Sequence, residues 1–202
     1  MQFYSGHIYH IYNQGNNRQP IFFEKENYLF FIAKMRKHLL PYCDVLAWCL
    51  MPNHFHWLIK VKEDYKNNVN FENNAKIVES LNRSIGSLQS SYTRAINTKF
   101  DRSGSLFRSR TKAKSLHENS RSRDNYGINC FLYIHQNPLR AEIVSKIEDW
   151  EFSSFRDYSG FRNGNIINKE LAKELFELPN TAEEFYKLSY QTIPNYISTK
   201  FY

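Results

Sequence analysis

The sequence predicts an α+β fold: a ferredoxin-like antiparallel sheet with helices on one face, followed by C-terminal helices. Three observations carry this. An apolar run of strand length, 45–51, passes through a Pro52-Asn53 turn into an alternating run, 54–61, which is the pattern of an antiparallel hairpin. Helical periodicity brackets the hairpin at 27–40 and 75–97. The order of elements is strand, helix, strand, strand, helix, strand, helix, a split βαβ arrangement with one helix added.

Residues 7–12, HIYHIY, read as a short strand. Within 27–40, Tyr28, Phe31, Ile32, Met35 and Leu39 recur at helical spacing, the mark of an amphipathic helix packed on a partner. VLAWCLM at 45–51 is apolar throughout, which predicts a central, covered strand. In HFHWLIKV, residues 54–61, Phe55, Trp57, Ile59 and Val61 point one way, and His54, His56, Leu58 and Lys60 the other. Residues 62–74 are polar and Asn-rich, a loop. Ile77, Leu81, Ile85, Leu88, Tyr92 and Ile96 form one face of a helix over 75–97, weakened at Gly86 by about 1 kcal/mol relative to Ala. After a turn at Ser103-Gly104 comes a basic extended segment, SLFRSRTKAKSL, and then a shorter helix over 125–137 that Pro138 is expected to end. Residues 168–190 read as one or two helices, with Thr181 and Glu184 spaced as a capping box. The expected organisation is one domain over 1–160 and a helical, acid-rich appendage over 161–202 with no evident chemistry.

A length of 202 residues suits one domain with a real core and is too short for two. With 42% apolar and 23% charged residues the chain is globular rather than disordered. Cys43, Cys49 and Cys130 form no CxxC pair and no even framework, so they read as reduced thiols. No stretch approaches the length of a membrane span, and the N-terminal segment has no apolar signal core. The expectation is a soluble, cytoplasmic protein. Eight basic residues stand between Arg83 and Lys114 (Arg83, Arg94, Lys99, Arg102, Arg108, Arg110, Lys112 and Lys114) against one acid, Asp101. That stretch equals the whole formal net charge of +7, so the rest of the chain is neutral on balance. A localised basic stripe is the footprint of a polyphosphate partner, although alone it is also what a solvated basic face looks like.

His54 and His56 lie two apart on a strand, so both imidazoles leave one face, the spacing for two ligands of one divalent metal. An isolated pair does not establish a site, because such histidines are often only hydrogen-bonded side chains. Here the opposite face is wholly apolar and the pair opens its strand beside a turn. Tyr133 and Asn137 lie four apart, on one face of the last helix. A tyrosine hydroxyl, with a free pKa of about 10, attacks phosphorus only with help. Asn137 offers a carbonyl oxygen that suits Mg²⁺ or Mn²⁺. Spacing alone favours reading Tyr133 as a core ring and Asn137 as a helix-end residue before proline. His7, His10, His38, His117 and His135 give no second pair of comparable quality, and His135 should point off the face that carries Tyr133.

Together the segments resemble a known family. WCLMPNHFHWLIK resembles the signature strand of single-tyrosine HUH transposases, in which two histidines flank a bulky apolar residue. YIHQNPLRAEIV resembles the catalytic-helix motif of their REP-associated tyrosine transposase branch, and GNNRQPIF, SGSLFRSR and WEFSSFRDY resemble further blocks of it, from roughly residue 6 to residue 160. The resemblance implies the HUH endonuclease fold, a divalent metal (Mg²⁺ or Mn²⁺) held by His54, His56 and Asn137, with Gln136 as an alternative ligand, and Tyr133 as the nucleophile. It implies cleavage and rejoining of single-stranded, hairpin-flanked DNA through a 5′-phosphotyrosine, by a monomer or a homodimer. Arg83, Arg94, Arg102, Arg108, Arg110, Lys112, Lys114 and Arg140 are the expected contacts to DNA. The rival readings are a non-catalytic nucleic-acid-binding module on the same fold and a metallohydrolase that activates water, for which Glu63 and Asp64 lie past the strand end.

Overall fold

In the computed structural model, residues 1–63, 71–116 and 126–193 are described. The first strand, β1 (Ile8–Gln14), is followed by α1 (Lys25–His38), β2 (Cys43–Met51), β3 (His54–Val61) and α2 (Phe71–Lys99). β4 (Lys112–Ser115), α3 (Tyr126–Arg140), and the short helices α4 (Phe155–Tyr158), α5 (Lys169–Phe176) and α6 (Ala182–Ser189) complete the chain. The sheet has the order β2-β3-β1-β4 with every pairing antiparallel, the ferredoxin-like arrangement.

β3 lies inside the sheet, and its alternation sorts its side chains between two cores. Phe55, Trp57, Ile59 and Val61 join Tyr9 and Ile11 of β1 under α1 (Phe31, Met35) and α2 (Leu81, Ile85, Leu88, Tyr92). Leu58 faces the other way, with Cys49 and Met51 of β2, into a second core built by α3 and by Ala172, Leu178 and Phe185 of the C-terminal segment. The C-terminal helices therefore complete this core. α2 runs unbroken through Gly86, where a Cβ would meet nothing within 4 Å, so only intrinsic propensity opposes the helix there.

Three expectations change. Helices pack on both faces of the sheet, not one: α1 and α2 against one face, α3 and the C-terminal helices against the other. β2 is covered on both faces, as its apolar run requires, but it is the edge strand, not a central one. Its outer edge is closed by the chain itself: Leu50 N–H donates to the Phe152 carbonyl, Ser154 N–H to the Trp48 carbonyl, and Asn168 N–H to the Val45 carbonyl. A covered edge has the composition of an interior strand. A register shift between Val45 and Ala47 turns Leu46 and Ala47 into the same core. Pro138 does not end α3, which continues to Arg140. Proline removes one N–H, and with only two residues following it the disruption stays within the last turn.

The WEFSSFRDY block is the buckle that seats α3. Ser154 Oγ accepts from the Trp48 N–H at 2.9 Å, donates to the Trp48 carbonyl at 3.2 Å, and stands 2.7 Å from His135 Nε2. His135 thus points into the second core, away from Tyr133, as its position on the helix requires. Ser154→Ala leaves buried polar groups of β2 and α3 unpaired and is expected to lower stability by about 2 kcal/mol. Urea unfolding checks this: a lower midpoint at unchanged slope is expected, and a loss below about 0.5 kcal/mol would mean the buckle holds nothing.

Candidate nucleophile and metal site

β3 begins directly after the Pro52-Asn53 turn, so His54 and His56 emerge on the α3 side of the sheet. The rings are 5.0 Å apart and perpendicular. His54 Nδ1 lies 2.6 Å from Asn53 Oδ1, while the Asn53 amide nitrogen donates to the Arg18 carbonyl. That second bond fixes which end of the amide faces the histidine, so His54 Nδ1 carries the proton and Nε2 holds the lone pair. Nε2 is buried and has no hydrogen-bond partner among the described residues. Burial pushes His54 down to about 4, opposed by a smaller hydrogen-bonding interaction with the Asn137 side chain, which makes no direct hydrogen bond to Nε2.

His56 is fully buried, and its Nδ1 meets Nε2 of His10, also fully buried, at 2.8 Å. Burial, then His54 and His10, hold His56 well below the usual imidazole range. Burial and Lys114 push His10 down to about 3. All three rings are therefore neutral at pH 7, the form in which imidazole ligates a metal.

α3 completes the site. Tyr133 is buried with its ring 5.8 Å from that of His56 and nearly perpendicular to it. Asn137, one turn on, stands beside His54, and its buried Nδ2 also lacks a hydrogen-bond partner among the described residues. Gln136 faces elsewhere: its amide nitrogen donates to the carbonyls of Ser189 and Gln191. Among the described residues no three His, Cys, Asp or Glu side chains form a metal-holding group. A donor set here would be two imidazoles completed by an amide oxygen, and the bare Nε2 of His54 beside a carboxamide fits that set.

The basic residues gather nearby. Arg83, Arg94, Arg102, Arg108, Arg110, Lys112 and Lys114 line one open groove of about 1830 Å³ between α2 and the segment leading into β4. Arg140 is elsewhere, its guanidinium 5.9 Å from the Tyr133 ring centre. Tyr12 lines the groove and also lies 5.8 Å, ring to ring, from His56, so the groove opens onto the site. The adjoining GNNRQPIF block needs its glycine for close approach: a Cβ on Gly15 would collide with the Gln19 carbonyl oxygen.

No family model and no curated protein matches the chain. Among solved structures it is similar to a REP-associated tyrosine transposase bound to a REP hairpin. The two share a fold. The likeness has a TM-score of 0.52, covers 83% of this chain and 92% of that one, and comes with 17% sequence identity.

Spacing does not single out Asn53 or His10. By type and position Asn53 is only a turn residue. The alternation in HIYHIY does put His10 and Tyr12 on one face, but the contact with His56 depends on how β1 registers against β3, where Tyr12 is paired with His56 and His10 with Leu58.

A polar group left unpaired in a buried site opposes folding. Asn137→Leu, close to isosteric, is therefore expected to leave the metal-free protein at least as stable as wild type, by thermal unfolding without divalent ions. A loss of about 2 kcal/mol would show that the amide is a structural partner.

Proposed function

We propose that the chain is a single-tyrosine HUH nuclease of the transposase type, which cuts and rejoins single-stranded, hairpin-flanked DNA. The observation that carries this is the convergence of Tyr133 and Asn137 from α3 onto His54 and His56 of β3. The fold shared with a transposase bound to a REP hairpin supports it.

His54, His56 and Asn137 would hold Mg²⁺ or Mn²⁺. Such an ion, when bound, supplies charge neutralisation at the scissile phosphate. The Tyr133 phenol oxygen attacks phosphorus. A tyrosine O–P bond forms as the bond to the DNA 3′-oxygen breaks. The phenol proton is lost to solvent, and the 3′-oxygen takes one up and leaves as a hydroxyl. The 5′-phosphate stays on Tyr133 as an ester, so a second 3′-hydroxyl reverses the step onto a new strand without a nucleotide cofactor. Burial of Tyr133 beneath the helix keeps competing water from that ester.

The groove would hold the strand by its backbone phosphates. Against the activated-water alternative, Glu63, past the end of β3, is paired with Lys60 at 3.9 Å; Asp64 lies outside the described residues.

Purified protein incubated with end-labelled hairpin DNA from sequence flanking its gene, with Mg²⁺ or Mn²⁺, is expected to give a covalent protein–DNA band on a denaturing gel. The band should vanish in Tyr133→Phe and without metal. Cleavage that survives in Tyr133→Phe would favour activated water, and salt-sensitive binding without cleavage on every flanking substrate would favour the binding module. Separately, Arg108→Ser with Arg110→Ser is expected to weaken single-strand binding and to flatten its dependence on log salt by about 0.7 for each phosphate no longer neutralised. An unchanged slope would place the strand elsewhere.

A further inference from the structure

Among the described residues, His10 is the one buried histidine of the site's face that the proposed reaction leaves without a task. It is fully buried on β1, its Nε2 stands 2.8 Å from His56 Nδ1, and the two rings are inclined by only 20° with centres 5.0 Å apart. A hydrogen bond between two neutral imidazoles contains one proton, so one ring donates and the other accepts. The choice determines what His56 presents on its far side. With the proton on His56 Nδ1, its Nε2 offers a lone pair; with the proton on His10 Nε2, neutral His56 carries its own proton on Nε2 and cannot ligate there.

His54 shows how the same problem is solved one pleat away. Its Nδ1–H is fixed by Asn53, whose amide is itself oriented by the Arg18 carbonyl. Both histidines thus have Nδ1 engaged by a neighbouring side chain, one from the turn and one from the adjacent strand. An acceptor behind each ring orients the ligand and raises its donor strength.

We propose that His10 is a positioning residue: it accepts the Nδ1–H of His56 and so turns the Nε2 lone pair of His56 toward the space shared with His54 and Tyr133. Its role toward a metal rests on the reading of this site given above; its effect on the His56 tautomer does not.

Two measurements on the full chain test it. In metal-free protein labelled with ¹⁵N-histidine, with His56 assigned by a His56→Gln variant, wild type should show His56 protonated at Nδ1 and bare at Nε2. A His56 protonated at Nε2 overturns the proposal with no variant at position 10 needed. Mn²⁺ titration then compares wild type, His10→Leu and His10→Gln, each first shown to melt cooperatively. His10→Leu should weaken Mn²⁺ binding about 10–100-fold. His10→Gln, which returns an acceptor oxygen at similar reach, should recover most of it. Equal losses in both variants, or none in either, overturn the positioning role. Wild type that binds no Mn²⁺ would defeat the metal reading of the site, and the nitrogen spectrum would still decide the tautomer.

Discussion

The two-residue period of β3 is the constraint on which everything else rests. One face of the strand is spent wholly on the core: Phe55 and Trp57 are fully buried beneath α1 and α2, and each large side chain so placed stabilises the fold by about 1.5–3 kcal/mol. A shift of one residue in register would put those rings among the polar groups of the α3 face and the histidines in the apolar core. The apolar face thus enforces the placement of His54 and His56 on the other, with no stabilising role required of the histidines themselves.

α3 is held as firmly, by a different device. Its residues from Cys130 to Pro138 are all buried, yet they serve opposite ends. Phe131, Ile134 and His135 look into the second core and, through Ser154, tie the helix to β2. Tyr133 and Asn137 look at β3. Rigid attachment on one side holds Tyr133 and Asn137 in place on the other. It also allows a buried polar atom such as Nε2 of His54 to stand without a direct hydrogen bond among the described residues, beside the Asn137 side chain.

The sequence reveals what depends on local spacing. The alternation of 54–61 locates both histidines on one face, and the four-residue interval locates Tyr133 and Asn137 on another; the structure places these pairs against each other. What escapes it is what depends on pairing between distant segments. His10 meets His56 only through the register of β1 against β3. β2 has the pattern of a central strand because the segments at 152–154 and 167–168 that close its edge lie more than a hundred residues away. Which of Asn137 and Gln136 stands beside His54 cannot be read from adjacency alone. It turns on the carbonyls of Ser189 and Gln191, which draw the Gln136 amide toward the C-terminal helix and leave Asn137 beside His54.

The charge distribution follows the same division. Seven cations line the groove, and the two of them on β4, Lys112 and Lys114, are separated from the histidine pair of β3 by β1 alone. Lys112 and Lys114 of β4 are paired with Tyr12 and His10 of β1; Tyr12 lines the groove, and the rings of both Tyr12 and His10 lie against that of His56. A polyanion lying along the groove would therefore meet decreasing positive charge toward the histidines, where the rings are neutral and buried. Long-range attraction and local chemistry are separated by one strand's width. In the groove, charges exposed to solvent are screened by salt; at the site, buried dipoles are not. If the proposed reaction holds, ionic strength should then act on capture of the strand far more than on any step that follows it.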